Sequence, residues 1–354
     1  MNQWPGAHFP SSYPPFYRPI DPRQQYIKQR ERDIARRGLG IGLAVLGMTV
    51  FSFVFSFLMG FVLLQLDLYD FIKYQEEFSY LSPVVYYLQY AILYLGMVVP
   101  PFIILALCFR MKSADYLPFE QKATSGASLV CEFAGCGASI LLNFMVSQFL
   151  NTISVVGILP DLSSMPYPEG DPLALALYGV VIAVLPAFAE EFAFRGVVLG
   201  LLRPFGQTFA VLGSAFVFGI MHGNIVQIPF AFAGGLVFGF VVVRTGSLWP
   251  AVLMHFLNNL LSYVQEVLSH TVSDQAYLGF VYGLYLLCAL ALLLGIRWLL
   301  RRDRSFFRLQ DDNGDPVPNE RKFSRFIGNP GMILAMIFVA FEVWIQVQFI
   351  PPWW

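Results

Sequence analysis

The chain predicts an all-α fold, a polytopic bundle of about nine transmembrane helices with a cytoplasmic N-terminus. Three observations predict it. Of its 354 residues 57% are hydrophobic and 13% charged, whereas a soluble domain is about one quarter charged, so this much apolar surface cannot be hidden in a globular core. Apolar runs recur at about the twenty-residue length that a hydrocarbon core of roughly 30 Å requires. Basic residues, finally, gather on one side of those runs.

Residues 1–37 are rich in Pro, Tyr, Gln and Arg and hold no apolar run, which predicts a disordered cytoplasmic tail. The first apolar run begins near Gly40, too far from the start for a signal peptide. A transmembrane domain then fills 38–354, with spans expected near 40–65, 83–108, 127–158, 173–202, 207–222, 229–243, 248–265, 276–299 and 330–350. The third and fourth are long enough to be tilted or broken, and the fifth and sixth are short. With the N-terminus inside, only Lys73 of the 22 Lys and Arg residues lands outside, which fixes the orientation by the retention of basic residues in the cytoplasm. The C-terminus then lies outside.

Residues 301–328 read as a charged cytoplasmic loop whose bases meet anionic lipid headgroups. Its Asp311-Asp312-Asn313-Gly314-Asp315 lacks the closing Glu of a calcium loop and reads as solvated. Cys108, Cys131, Cys136 and Cys288 sit in or beside apolar runs without metal or disulfide spacing, and are expected to pack. A net charge of -1 gives no sign of a nucleic-acid partner.

Against this apolar background Ala189-Glu190-Glu191-Phe192-Ala193-Phe194-Arg195 stands out. A charge at the centre of a membrane helix costs about 3 kcal/mol by insertion scales, so such residues mark sites. Glu191 and Arg195 are four apart and share a helix face, so they can pair; Glu190 lies about 100° around and is left as an available carboxylate. That suits a general base. Pro186 cannot donate to the carbonyl of Ile182, which predicts a kink and an unsatisfied carbonyl one turn before Glu190. His222 ends the fifth span, before Gly223 and Asn224. His255 and Asn259 are four apart on the seventh, a ring nitrogen and an amide able to converge on one oxygen. Asn258 is turned away and reads as an interhelical contact. Glu132, Asn143, Gln148 and Glu342 have no companions at useful spacing and are assigned structural roles.

At these residues the chain resembles the CAAX prenyl protease and bacteriocin-processing (CPBP) family of intramembrane proteases. The motifs Glu-Glu-x-x-x-Arg, Phe-x-x-x-His and His-x-x-x-Asn are matched by Glu190-Glu191-x-x-x-Arg195, Phe218-x-x-x-His222 and His255-x-x-x-Asn259, in order and on successive spans. The resemblance covers about residues 170–265, the expected catalytic core. It implies a metal-independent glutamate protease in which Glu190 and His222 activate water, His255 and Asn259 hold the oxyanion, and Glu191 with Arg195 supports them. It implies no cofactor, a peptide or membrane-protein substrate, a lipid bilayer around the chain and, for bacterial members, peptide maturation or self-immunity at the cell membrane. Zinc is the runner-up, since two His and a Glu are good ligands, yet no His-Glu-x-x-His stands on one helix. A non-catalytic immunity or partner protein is the alternative from another class, with a transporter more distant; the four intact polar residues favour the enzyme.

Straight helices leave one conflict. They put Glu190 and His255 towards the cytoplasmic half but His222 near the far end of the fifth span. A tilted, broken or re-entrant helix and a water-filled cavity reaching in from the cytoplasm are therefore expected.

Overall fold

The computed structural model describes residues 21–65, 82–116, 126–155, 165–309 and 315–349, and among these every regular element is helical. Apart from a single turn at Ser113–Tyr116, the helices in chain order are α1 (Pro22–Gln65), α2 (Pro83–Cys108), α3 (Gly126–Val155), α4 (Pro172–Phe205), α5 (Gln207–Ile220), α6 (Gln227–Thr245), α7 (Trp249–Thr271), α8 (Asp274–Arg302), α9 (Asn319–Ile327) and α10 (Pro330–Phe349). α4 runs through the middle. Its Ala187, Ala193, Phe194, Val197 and Val198 are fully buried, and α2, α5, α6 and α7 pack around it. α1 covers the outer side of α2 and carries α10, while α3 and α8 form a pair against α6 and α7. Large apolar side chains face outwards instead, Phe57 at 76% and Phe133 at 72% exposure among them. That is the inverse of a soluble surface and fits a lipid surround.

Within the described residues each apolar run expected from the sequence is helical, but fewer qualify as full spans. Among the described residues six helices are long and apolar enough to cross a bilayer, or seven if α9 and α10, bent by 68°, count as one, against about nine expected. Two causes account for the difference. α5 has only 14 residues, about 21 Å at the helical rise, and α7 is diluted by His, Asn, Gln and Glu.

The N-terminal expectation is corrected in part. Residues 1–20, with Tyr13-Pro14-Pro15-Phe16, lie outside the described residues, but 22–37 are helical and run without a break into the first span. Ile34, Gly38, Ile41, Val45 and Met48 form a buried stripe along α1. The supposed loop 301–328 supplies what covers that helix's start. α9 folds within it, its Arg325 Nη2 2.9 Å from Glu31 Oε2 and its Arg321 Nη1 3.7 Å from Glu31 Oε1. Good helix formers such as Gln, Arg and Glu need only one such partner. Residues 310–314, most of the calcium-like stretch, are outside the described residues; Asp315 binds Arg30 Nη2 at 2.6 Å instead.

These termini converge on the end of α4. Helices begin and end with unpaired backbone groups. At the start, Asp171 accepts from the N–H groups of Leu173 and Ala174, both at 3.0 Å, with Pro172 in the first turn. At the far end three cations cap the carbonyls: Arg37 bonds Leu201, Arg30 bonds Pro204 at 2.8 Å and Lys322 bonds Phe205. Positive charge at a helix C-terminus is also favoured by the helix dipole. Asp315 holds two of the three, lying 3.7 Å from Lys322 Nζ as well. Where α1 crosses α10 the backbones touch: a Cβ on Gly42 would fall 2.3 Å from the carbonyl carbon of Gly331, so only small residues allow the contact.

The capping cluster sets an order of stabilities. Asp315→Leu strands two cations and is expected to cost about 3–5 kcal/mol, as breaking a buried ion pair does. Lys322→Leu leaves Asp315 paired with Arg30 and is expected to cost about 1.5–3 kcal/mol. Thermal unfolding in detergent checks the order; equal losses would dissolve the cluster into independent contacts.

Candidate active site

The sequence forces irregularity on α4. Pro186 has no N–H and its ring crowds the preceding turn, and just before it Val180–Val184 widens into π-helical turns, the Leu185 N–H reaching back to the Val180 carbonyl. A second π-helical segment, Glu191–Val198, starts at the paired carboxylates; such bulges collect at functional sites. The Ile182 carbonyl that Pro186 cannot serve does not stay bare. Asn259 Nδ2 donates to it from α7 at 3.2 Å.

Glu191 is the centre of the polar cluster. Its Oε1 accepts from Arg195 Nη1 and from His255 Nδ1, both at 2.8 Å, and neither the carboxylate nor the guanidinium has solvent exposure. Helical spacing foresees the first bond and not the second. Arg195 Nε and Nη2 have no hydrogen-bond partner among the described residues. The guanidinium lies instead 4.0 Å from the ring centroid of Phe218 and 5.2 Å from that of Phe238, a cation–π arrangement that strengthens when desolvated.

Glu190 is buried beside it and has a partner the sequence reading missed: Tyr94 on α2 donates its hydroxyl to Glu190 Oε1. The signal was present. Tyr86, Tyr90 and Tyr94 recur every four residues in an apolar span, and buried tyrosine hydroxyls seek an acceptor. Glu190 Oε2 is 3.7 Å from His255 Nε2, too long for a hydrogen bond. Two carboxylates, one guanidinium and one imidazole reach electroneutrality with one further proton on this axis.

His222 follows the last turn of α5. Its Nδ1 is 2.8 Å from the Phe218 carbonyl; a carbonyl only accepts, so Nδ1 carries the hydrogen and Nε2 presents its lone pair. Gly223, at φ +59°, lets the chain reverse there. The Phe218 ring stands edge-on to both His222 and His255, with centroids 5.1 and 5.9 Å apart, which explains a phenylalanine four residues before the histidine.

The side chains that straight helices would set apart are brought together: α5 has only 14 residues, and a cavity of about 420 Å³ is lined together by Glu190, His222, His255, Asn259 and Tyr94. His255 and Asn259 each have one nitrogen site already engaged, His255 Nδ1 by Glu191 and one Asn259 N–H by the Ile182 carbonyl. With Tyr263, whose hydroxyl donates to the Leu175 carbonyl at 3.2 Å, they join one face of α7 to α4 at every fourth residue.

Of the residues set aside as structural, Asn143 donates to Asn258 Oδ1 at 2.6 Å, an α3 to α7 contact as read for Asn258. Glu342 is not isolated: it shares a cavity of about 360 Å³ with His222. Glu132 keeps a buried oxygen without a hydrogen-bond partner among the described residues.

Residues 172–261, a stretch that contains all three motifs, match the family model described as type II CAAX prenyl endopeptidase, Rce1-like. No curated protein and no solved structure matches the chain.

The buried pair makes a stability prediction. Glu191→Met leaves Arg195 charged in a dry site and is expected to cost about 3–5 kcal/mol, whereas the double Glu191→Met/Arg195→Met removes both charges and is expected to recover most of that loss. Unfolding of the three proteins in detergent decides it, since a double variant as unstable as the single one would deny the coupling.

Proposed function

We propose, from a chain whose residues 172–261 match the family model of type II CAAX prenyl endopeptidases, that this multi-pass membrane protein is an endopeptidase of glutamate type, cleaving a peptide or membrane-protein substrate within the bilayer, in a bacterial cell membrane. One observation carries the reading: Glu190, His222, His255 and Asn259 come from α4, the end of α5 and α7 and line one cavity.

Hydrolysis needs an activated water and donors where negative charge develops. Tyr94 engages Glu190 Oε1, which leaves Oε2 to accept a proton from water. The Nε2 lone pair of His222 is the second acceptor on that water. The water oxygen bonds to the carbonyl carbon, and the carbonyl oxygen takes the negative charge. The second N–H of Asn259 serves that oxyanion, the first being spent on Ile182, and His255 Nε2 joins it when the imidazole carries a hydrogen on both nitrogens, since Nδ1 donates to Glu191. The proton taken from water passes from Glu190 to the leaving nitrogen as the C–N bond breaks, giving a carboxylic acid and an amine, and the acid's proton then leaves to Glu190 or to the amine. Glu191 and Arg195 orient His255.

The metal-free course follows from the resemblance, in which Glu190 rather than a metal ion activates the water.

The test is purification in detergent and assay against a peptide library, with and without a chelator. Glu190→Gln is expected to lower kcat by about 10²–10⁴, as loss of a general base does, and Asn259→Ala by about 10² or more, as loss of an oxyanion donor does. Cleavage that survives Glu190→Gln sinks the proposed base; cleavage lost to the chelator and restored by zinc sinks the metal-free course. Tyr94→Phe removes one hydrogen bond to a charged group and is expected to lower kcat about tenfold with KM unchanged. A change in KM alone would move Tyr94 from the base to the substrate.

A further inference from the structure

α7 has a second polar face. Asn258, Ser262 and Gln265 fall at helical spacing on the side turned from α4, and they line a separate cavity of about 400 Å³ between α3, α7 and α8. Asn143 and Gln148 of α3 and Tyr277, Tyr282 and Tyr285 of α8 complete its polar lining. Asn143, Asn258 and Ser262 also line the cavity that holds Glu190 and the two histidines, so the two spaces adjoin across the Asn143–Asn258 contact.

The chemistry of this lining is selective. It contains amides and hydroxyls but no Lys, Arg, Asp, Glu or His, so it offers nothing to balance a phosphate, a carboxylate or an ammonium group. It suits an isoprenoid tail poorly, because uncovered amides in an apolar contact lose their hydrogen bonds to water without replacement. A nearly all-apolar cavity does exist, lined by Leu212, Leu236 and Leu292, but it shares no lining residue with the catalytic one. Neutral groups that donate and accept side by side match one kind of ligand within a bilayer, a peptide main chain stripped of its own hydrogen bonds. At the junction Asn143 Oδ1 is buried without a hydrogen-bond partner, an acceptor placed for an incoming N–H.

We propose that this cavity is a substrate subsite that holds an extended, uncharged stretch of polypeptide adjoining the scissile bond, by hydrogen bonds to its main chain. The inference rests on the peptidase reading for the word substrate. As a binding site it stands separately. Specificity then follows: charged side chains close to the cleaved bond on this side are rejected for want of a counter-charge, while side-chain identity otherwise counts for little.

The experiment uses full-length protein carrying Glu190→Gln, which keeps the probe intact, and a pool of short uncharged peptides bearing a diazirine side chain. Photolabel is expected within 140–148 and 277–285. It is expected to fall about tenfold when the peptides are N-methylated along the backbone, the worth of one or two hydrogen bonds. Gln265→Met, outside the catalytic cavity, is expected to lower it likewise. Label confined to other segments, or label indifferent to N-methylation, overturns the subsite. So does a diazirine farnesol that labels the same segments and displaces the peptides. Photolabel there with no cleavage by the wild type leaves the subsite standing and sinks the peptidase reading, whereas cleavage with no label there does the reverse.

Discussion

The site depends on keeping one positive charge out of water. Arg195 is among the largest fully buried side chains described, and a guanidinium so placed is stable only with a carboxylate against it and its remaining faces covered. Four helices supply those covers: Glu191 and Arg195 itself from α4, Phe218 from α5, Phe238 from α6, and His255 from α7 through the same carboxylate oxygen. Moving any of these helices uncovers the charge. The ion pair is thus less a source of net stability than a condition of register, fixing where Glu190 and His222 stand relative to His255.

Much of this was legible in the sequence because charge in an apolar run is conspicuous. Glu190, Glu191, Arg195, His222, His255 and Asn259 are picked out by cost and spacing alone, and the Glu191–Arg195 pair follows from a separation of four. What spacing could not show is which helix faces which. The bond from His255 to Glu191 joins residues 64 apart, and the Tyr94 hydroxyl reaches Glu190 from 96 residues away. The unsatisfied Ile182 carbonyl was legible from Pro186, but its donor was not. The N-terminal helix was hidden for another reason. Composition describes a segment by itself, and the start of α1 is ordered by α9, some 300 residues later, through Glu31, Arg321 and Arg325.

The two ends of the chain also serve the middle of it. Three cations cap the last carbonyls of α4, two from α1 and one from α9, and Asp315 ties two of them together. α4 therefore meets no abrupt loss of hydrogen bonding where it leaves the core. Its irregularities are concentrated at Val180–Val184 and Glu191–Val198, on either side of the carboxylate that faces the cavity. A helix held firmly at both ends and widened in between makes room for side chains and water without losing its place in the bundle.

The bonds that His255, Asn259 and Tyr263 make along α7 bear on how a polypeptide could arrive from the bilayer. Parting α7 from α4 would break three hydrogen bonds at once and expose the Glu191 carboxylate and two carbonyls to hydrocarbon, where each unsatisfied group costs several kcal/mol. That seam is a weld, not a gate. The contact between α3 and α7 is of another kind, closed by the neutral amides of Asn143 and Asn258, whose hydrogen bond another amide can replace bond for bond.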